Sequence, residues 1–299
     1  MHRYFAYGLG IHSELPLPEL VAAEANADVV IRVDRVRRSV PGEAPSSDTF
    51  RATPAGASIH YEKVGTFLIR GGAEITVDPD PAADAYQLRL AIVGPVFSIL
   101  LHQRGRLVLH ASAVKINARA IVFLGGAGWG KSTTAALFLA RGHALISDDI
   151  VSVFFDESAS PLIDPAYPLL KVWPEAADSI GEDVRASPRV NPRIEKRAHR
   201  VTRAFSIAAV PLGCVYVLGE GARAEIEPLM PKDAFIELVR HTFVVQLLQA
   251  TESQPAHFRQ CSALASGVPV RRLKRPQALT ALPAVATLVE EDIARLRQS

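Results

Sequence analysis

Gly125-Gly126-Ala127-Gly128-Trp129-Gly130-Lys131-Ser132 is the stretch of this 299-residue chain on which its fold turns. It fits the phosphate-loop pattern G-x-x-x-x-G-K-[ST]. Ahead of it, Ala120-Ile121-Val122-Phe123-Leu124 is a short apolar run rich in β-branched and aromatic side chains, which reads as a buried strand. Behind it, Thr133 to Arg141 carries alanine and leucine at helical spacing and stops at Gly142. Strand, glycine loop and helix start therefore occur in the order a phosphate cradle needs. The glycines let backbone N–H groups turn inward as an anion nest, and the helix adds its positive end. Gly125 to Thr133 form the candidate nucleotide-binding set. Lys131 can reach the β and γ phosphates, and the Ser132 hydroxyl can take a place on Mg²⁺. The bland alternative is a glycine-rich turn with a chance Gly-Lys-Ser; the flanking strand and helix disfavour it.

Beyond the loop helix, Ala144-Leu145-Ile146-Ser147-Asp148-Asp149-Ile150-Val151-Ser152-Val153 reads as an apolar strand delivering two adjacent carboxylates. Adjacent strand residues point to opposite faces, so one carboxylate is expected to face Mg²⁺ and the other the acceptor hydroxyl. Taken alone, the pair reads better as the cap of a turn. Following a phosphate loop, it is read as part of the site.

The rest of the chain bounds the class. Apolar residues make up 48% and charged residues 21%, enough apolar matter to bury a full core. A net charge of +2 argues neither for nor against nucleic acid. Two cysteines, Cys214 and Cys261, are too few for a disulfide framework and suit a reduced, cytoplasmic protein. The start, Met-His-Arg-Tyr-Phe-Ala-Tyr-Gly, does not read as a secretory signal. The apolar stretch Ala91 to Leu101 is broken by Gly94-Pro95 and too short to span a bilayer. No His/Cys/Asp cluster has zinc spacing.

The organisation expected is a β-rich N-terminal region, residues 1–82, and an α/β phosphate-loop domain, residues 83–299. Tyr4–Tyr7, Val29–Val33, Ser58–Tyr61, Thr66–Arg70 and Glu74–Val77 read as strands of a small antiparallel sheet, with Arg38 to Thr49 as a loop and Gly71-Gly72 as a turn. Asp78-Pro79-Asp80-Pro81 marks the boundary. Pro95 is placed as the first residue of a helix to about Gln103. Asn117-Ala118 is a hairpin turn. A helix is expected from Pro231 to about Leu248, and Val268 to Leu273 as an edge strand, since Pro269 cannot donate to a ladder. Pro276 to Arg297 closes with a helix.

Val184 to Arg203 is rich in arginine, with Arg193, Lys196 and Arg197 the candidate phosphate or substrate contacts. It reads either as a solvated basic loop or as a flap whose guanidiniums meet phosphate bidentately. His143, His199, His241 and His257 read as surface or satisfied residues.

Leu109-His110-Ala111-Ser112, the glycine loop, and Arg141-Gly142-His143-Ala144-Leu145-Ile146-Ser147-Asp148-Asp149 together resemble the kinase domain of HPr kinase/phosphorylase and its relatives. That resemblance implies a phosphate-loop kinase fold related to ATP-dependent phosphoenolpyruvate carboxykinase, with ATP and Mg²⁺ as cofactors and phosphorylation of a serine hydroxyl on a small protein. It implies His110, Lys131 and Asp148 as catalytic residues, with Asp148 as the base, Ser132 at the metal, and Asp149 either at the metal or orienting His110. The family's Glu-Ile-Arg-Gly-Leu-Gly signature is absent; the comparable place reads Leu169-Leu170-Lys171-Val172-Trp173-Pro174-Glu175. Leu109-His110-Ala111-Ser112-Ala113-Val114, with Ser147-Asp148-Asp149 and the Trp173-Pro174 segment, resembles the HPr-kinase-like proteins of lasso-peptide biosynthesis, which implies a serine at the C-terminus of a precursor peptide as acceptor. Partners expected are thus a nucleotide and a peptide or small protein, and neither nucleic acid nor a membrane, with a homo-oligomer left open. A carrier-protein kinase, a small-molecule kinase and a nucleotide-dependent switch are the alternatives.

Overall fold

A computed structural model describes residues 1–36, 48–243 and 245–296. The loop expected from Arg38 to Thr49 lies almost wholly outside the described residues. The fold is mixed α/β, with several sheets and two compact units: residues 1–108 with 244–257, and residues 109–243 with 258–299.

The first unit is built on an eight-stranded sheet, β1 (His2–Ala6), β2 (Leu9–Ser13), β3 (Val21–Ala22), β4 (Val29–Val33), β5 (Thr49–Thr53), β6 (Gly56–Tyr61), β7 (Gly65–Arg70) and β8 (Glu74–Pro79), in the order β3-β1-β2-β4-β8-β7-β6-β5. It is not small, and it is not purely antiparallel: β4 runs parallel to both β2 and β8. Gly71 and Gly72 both take positive φ, 57° and 62°, in the tight turn between β7 and β8, where a two-residue hairpin favours such residues.

Helices α1 (Ala85–Ala91) and α2 (Phe97–Gln103) follow, with Asp84 capping the first. Gly94 breaks the helical geometry between them, just before Pro95. The whole stretch Ala85–Gln103 is long and apolar enough to cross a membrane by length and composition, but 61% of that window is buried inside the fold. It packs as a core helix. Gln103 donates to the Ile69 carbonyl and accepts from the Gly72 amide, while Arg104 donates to the Gly72 carbonyl. These bonds clamp the helix to the β7–β8 turn. For that reason the packing divides after Val108, and not at residue 82 where Asp78–Pro81 punctuates the sequence.

The second unit holds the glycine loop. Its elements are β9 (Leu107–Ile116), β10 (Arg119–Leu124), α3 (Lys131–Ala140), β11 (Ala144–Phe155), β12 (Pro161–Asp164), β13 (Leu169–Val172), α4 (Pro174–Asp178), β14 (Arg197–Arg200), β15 (Val210–Glu220), β16 (Glu225–Pro228) and α5 (Pro231–Arg240). The chain then gives the short α6 (Leu247–Ala250) to the first unit, and finishes with α7 (Gln254–Gly267), β17 (Val270–Arg275) and α8 (Leu282–Leu296). The main sheet is ordered β10-β9-β11-β12-β15-β17-β16, and a further parallel pairing of β10 with β15 closes part of it on itself. β13 and β14 form a separate two-stranded ladder.

Two expectations change here. β17 is an interior strand, parallel to β15 and antiparallel to β16. Pro269 lies just before the strand, where its missing N–H breaks no rung of it, and its carbonyl accepts from the Val215 amide. The helix from Pro231 stops at Arg240, not near Leu248. Thr242 leaves it to bridge Leu109, and the His241 carbonyl accepts from the His110 amide at 2.8 Å.

The core beside the loop is aromatic. Phe123 stacks on Phe138 and on Tyr216, with ring centroids 5.5 and 6.0 Å apart. Val285, Ala286, Val289 and Ile293 of α8 bury against the same cluster. Asp292, among them, accepts from Tyr216 Oη and Arg271, which satisfies a carboxylate that burial alone would penalise.

Candidate active site

β10 ends at Leu124, and the chain turns through Gly125 to Gly130 before α3 begins at Lys131. Gly128 and Gly130 sit at φ 80° and 81°, a region that costs an L-residue energy and glycine almost none. The Trp129 ring lies over Gly126, where an added Cβ would come within 2.9 Å of Trp129 Cδ1. Gly130 leaves no room for a Cβ either, since Arg275 Nη2 passes against it on the way to the Trp129 carbonyl, 3.0 Å away. Arg275 is buried, and burial pushes its guanidinium below the usual arginine range. A cavity of about 330 Å³ adjoins the loop here, lined by Trp129, Gly130, Thr133, Gly219, Arg275 and Gln277.

Lys131 is 7% exposed. Its ammonium folds back onto the loop, donating to the Gly125 and Gly126 carbonyls at 2.8 and 3.1 Å. Burial lowers its pKa; Asp148 and Asp149 act the other way, so both carboxylates lie within its electrostatic reach. Ser132 sits half-buried in the first turn of α3.

The carboxylates come from β11 and the histidine from β9. His110 and Ser112 are two apart on one strand and so share a face. Ser112 Oγ donates to Asp148 Oδ1 at 2.6 Å. His110 Nδ1 lies 3.2 Å from the Asp149 carbonyl oxygen and 3.3 Å from its Oδ1. A carbonyl oxygen only accepts, so Nδ1 carries the hydrogen and Nε2 is left as an acceptor. Burial pushes the His110 imidazole below its ordinary 6.5, Asp149 opposes this, and Lys131 reinforces it; the net is downward, leaving the ring neutral at pH 7.

The two carboxylates do not divide as strand alternation predicts. Asp149 takes φ +78°, a strained geometry for a residue with a side chain. The twist turns its carbonyl toward His110 and gathers both carboxylates onto one residue, Lys171. The Lys171 amide donates to Asp148 Oδ2 at 2.8 Å, and its ammonium meets Asp149 Oδ2 at 2.6 Å. Asp148, expected to face the acceptor, is 2% exposed with both oxygens engaged. Asp149 is the more open of the two, 25% exposed. Burial alone would raise its carboxyl, but Lys171, His110 and Lys196 together outweigh burial and hold it at about 2.

Of the three basic candidates from the arginine-rich stretch, Lys196 comes within electrostatic reach of Lys131 and Asp149. Arg197 is held by Glu195 and the Ser187 carbonyl, and Arg193 is exposed. Arg185 pairs with Asp178 and Asp183, which precede the stretch.

Three residues join the site without having been singled out. Lys171 is the lone cation in an apolar strand, a signal that was visible. Ser112 shares the periodicity of His110. His241, read as a surface or satisfied residue, is mostly buried, lies 3.6 Å from Glu237 and is in electrostatic reach of His110 and Lys131.

The donors suit Mg²⁺ in kind: a hydroxyl at Ser132 and a carboxylate at Asp149, the one or two protein oxygens this ion takes beside phosphate and water. No group of three or more His, Cys, Asp or Glu able to cage a metal occurs among the described residues.

No family model matches the chain, and no curated protein matches it. Among solved structures, the HPr(Ser) kinase/phosphatase from Coxiella burnetii is similar over 64% of this chain and 98% of its own, at 14% identity and a TM-score of 0.35. A likeness of that size does not decide the chemistry of this chain, which rests on its own residues.

Proposed function

We infer that the chain is an ATP-dependent phosphotransferase that passes the γ-phosphate to a serine hydroxyl of a peptide or small protein. The observation behind this is the placement of Lys131, at the mouth of a glycine loop opening a helix, within reach of two carboxylates and a neutral histidine. The loop amides and the start of α3 hold phosphate oxygens, and Lys131 exchanges its two loop carbonyls for them. Ser132 and Asp149 would hold Mg²⁺, which when bound would supply further neutralisation of the phosphates. Nε2 of His110 accepts the hydroxyl proton, because its Nδ1–H is oriented by Asp149 and the ring is neutral at pH 7. Asp148 fixes Ser112 and the β13 backbone. Lys196, in electrostatic reach of Lys131 and Asp149, is the candidate phosphate contact from the arginine-rich stretch.

The specific acceptor we propose is a precursor peptide ending in serine, as the resemblance to lasso-peptide-associated kinases implies, and the compartment is the cytoplasm. Transfer of label from γ-labelled ATP to such a peptide, with EDTA abolishing it and Mg²⁺ restoring it, tests the proposal. ATP binding without transfer to any hydroxyl would favour a nucleotide-dependent switch. Transfer to HPr or to a small alcohol would redirect the acceptor.

A further inference from the structure

Resting on the nucleotide site above, we propose that Lys171 is an internal counter-cation for Asp149, so that the site refuses a free divalent ion and accepts one only with a polyphosphate. Both oxygens of Asp149 face a nitrogen: Lys171 Nζ lies 2.6 Å from Oδ2, and His110 Nδ1 lies 3.3 Å from Oδ1. Mg²⁺ needs its carboxylate oxygen at about 2.0–2.1 Å. The Lys171 ammonium on Oδ2 takes one of that oxygen's lone pairs and sets a like charge beside any ion that would bind there.

The surrounding charge points the same way. Three ammonium groups, Lys131, Lys171 and Lys196, act on two carboxylates, Asp148 and Asp149. The balance is positive, which repels a bare divalent cation and attracts a polyphosphate. A metal–triphosphate complex brings the anion that Lys171 needs in exchange for Asp149.

The geometry permits the exchange. The Lys171 backbone is pinned by its N–H to Asp148 and by its register opposite Ala198 of β14. Its ammonium is the far end of a flexible four-carbon stem. The strand therefore stays in place while the charge swings from carboxylate to phosphate.

The test titrates the full chain with Mn²⁺ as probe, reading free ion by electron paramagnetic resonance, with and without a non-hydrolysable ATP analogue. Wild type should bind Mn²⁺ well only with the analogue. Without it, Lys171→Met should bind Mn²⁺ about tenfold tighter than wild type or more. Lys171→Arg should still refuse the ion, and Lys171→Met combined with Asp149→Asn should refuse it again. Lys171→Gln replaces the methionine variant if that one does not fold, and the wild-type comparison needs no variant. Wild type binding Mn²⁺ alone within about threefold of its affinity with the analogue would overturn the proposal, as would equal binding by wild type and Lys171→Met. Nucleotide binding is followed separately by a fluorescent ATP derivative. Its absence would sink the nucleotide site, whereas the metal titration judges Lys171 alone.

Discussion

Gly130→Ala is the most informative single change in the loop. Gly130 holds φ +81°, so an alanine there pays roughly 1–2 kcal/mol for left-handed backbone. Its Cβ would also collide with Arg275 Nη2. That atom is the end of a side chain and can retreat, but retreat breaks its 3.0 Å bond to the Trp129 carbonyl. A hydrogen bond from a charged donor is worth about 1.5–3 kcal/mol. The total expected loss is about 2.5–5 kcal/mol. Gly128→Ala is the internal control: φ is +80°, yet nothing lies within 4 Å of the added carbon. It should cost only about 1–2 kcal/mol. Urea unfolding followed by tryptophan fluorescence compares the two, since both tryptophans, Trp129 and Trp173, lie in the second unit. Combining Gly130→Ala with Arg275→Ala should add no more than the backbone cost to that of Arg275→Ala. The same variant should bind ATP more weakly, because the loop is displaced. Equal losses at Gly128 and Gly130 would refute the wedging of Arg275 against the loop.

Lys131→Ala should remain folded by circular dichroism and bind Mg-ATP about tenfold more weakly or worse; calorimetric titration finding equal affinity would remove the phosphate loop from the mechanism. His110→Gln should keep ATP binding and lose about 10²–10⁴-fold in single-turnover transfer. Asp148→Asn should slow transfer less, because that carboxylate is buried on Ser112 and Lys171; the reverse ranking would return the base to Asp148. Stability should fall as pH drops below 6.5. Burial lowers the pKa of His102, His110, His241 and His257, so the unfolded chain takes up those protons first and gains from acid. Melting temperatures from pH 7.5 to 5 check this, and a flat profile would contradict the burial of these rings.

Local chemistry accounts for the parts that were legible beforehand. A glycine loop between an apolar run and a helical repeat needs only its own residues to be recognised, as do the Gly71-Gly72 turn and the Asn117-Ala118 turn, where both residues take positive φ. Strand alternation on β9 likewise puts His110 and Ser112 on one face from sequence alone. The same local rule does not carry through Asp148 and Asp149, because Asp149 leaves strand geometry at φ +78° and its contacts are with residues of other strands. Pro269 misled for a similar reason: a proline before a strand says nothing of how many neighbours that strand will have.

His241 was beyond any local rule, and Lys171 showed only as the lone cation of an apolar strand, with nothing local to say what it would pair with. Lys171 lies in a strand that pairs with β14, outside the main sheet, and His241 in a turn that leaves α5 to meet β9. Both reach the site through hydrogen bonds that span long stretches of chain. What the sequence determined by itself is the loop, its flanking strand and helix, and the residue types available for the chemistry. Only the tertiary structure decided which carboxylate is sealed, which is open, and which cation guards it. Burial and charge pairing depend on atoms brought together from distant positions, and hydrophobic periodicity records which face of an element is covered but not by what.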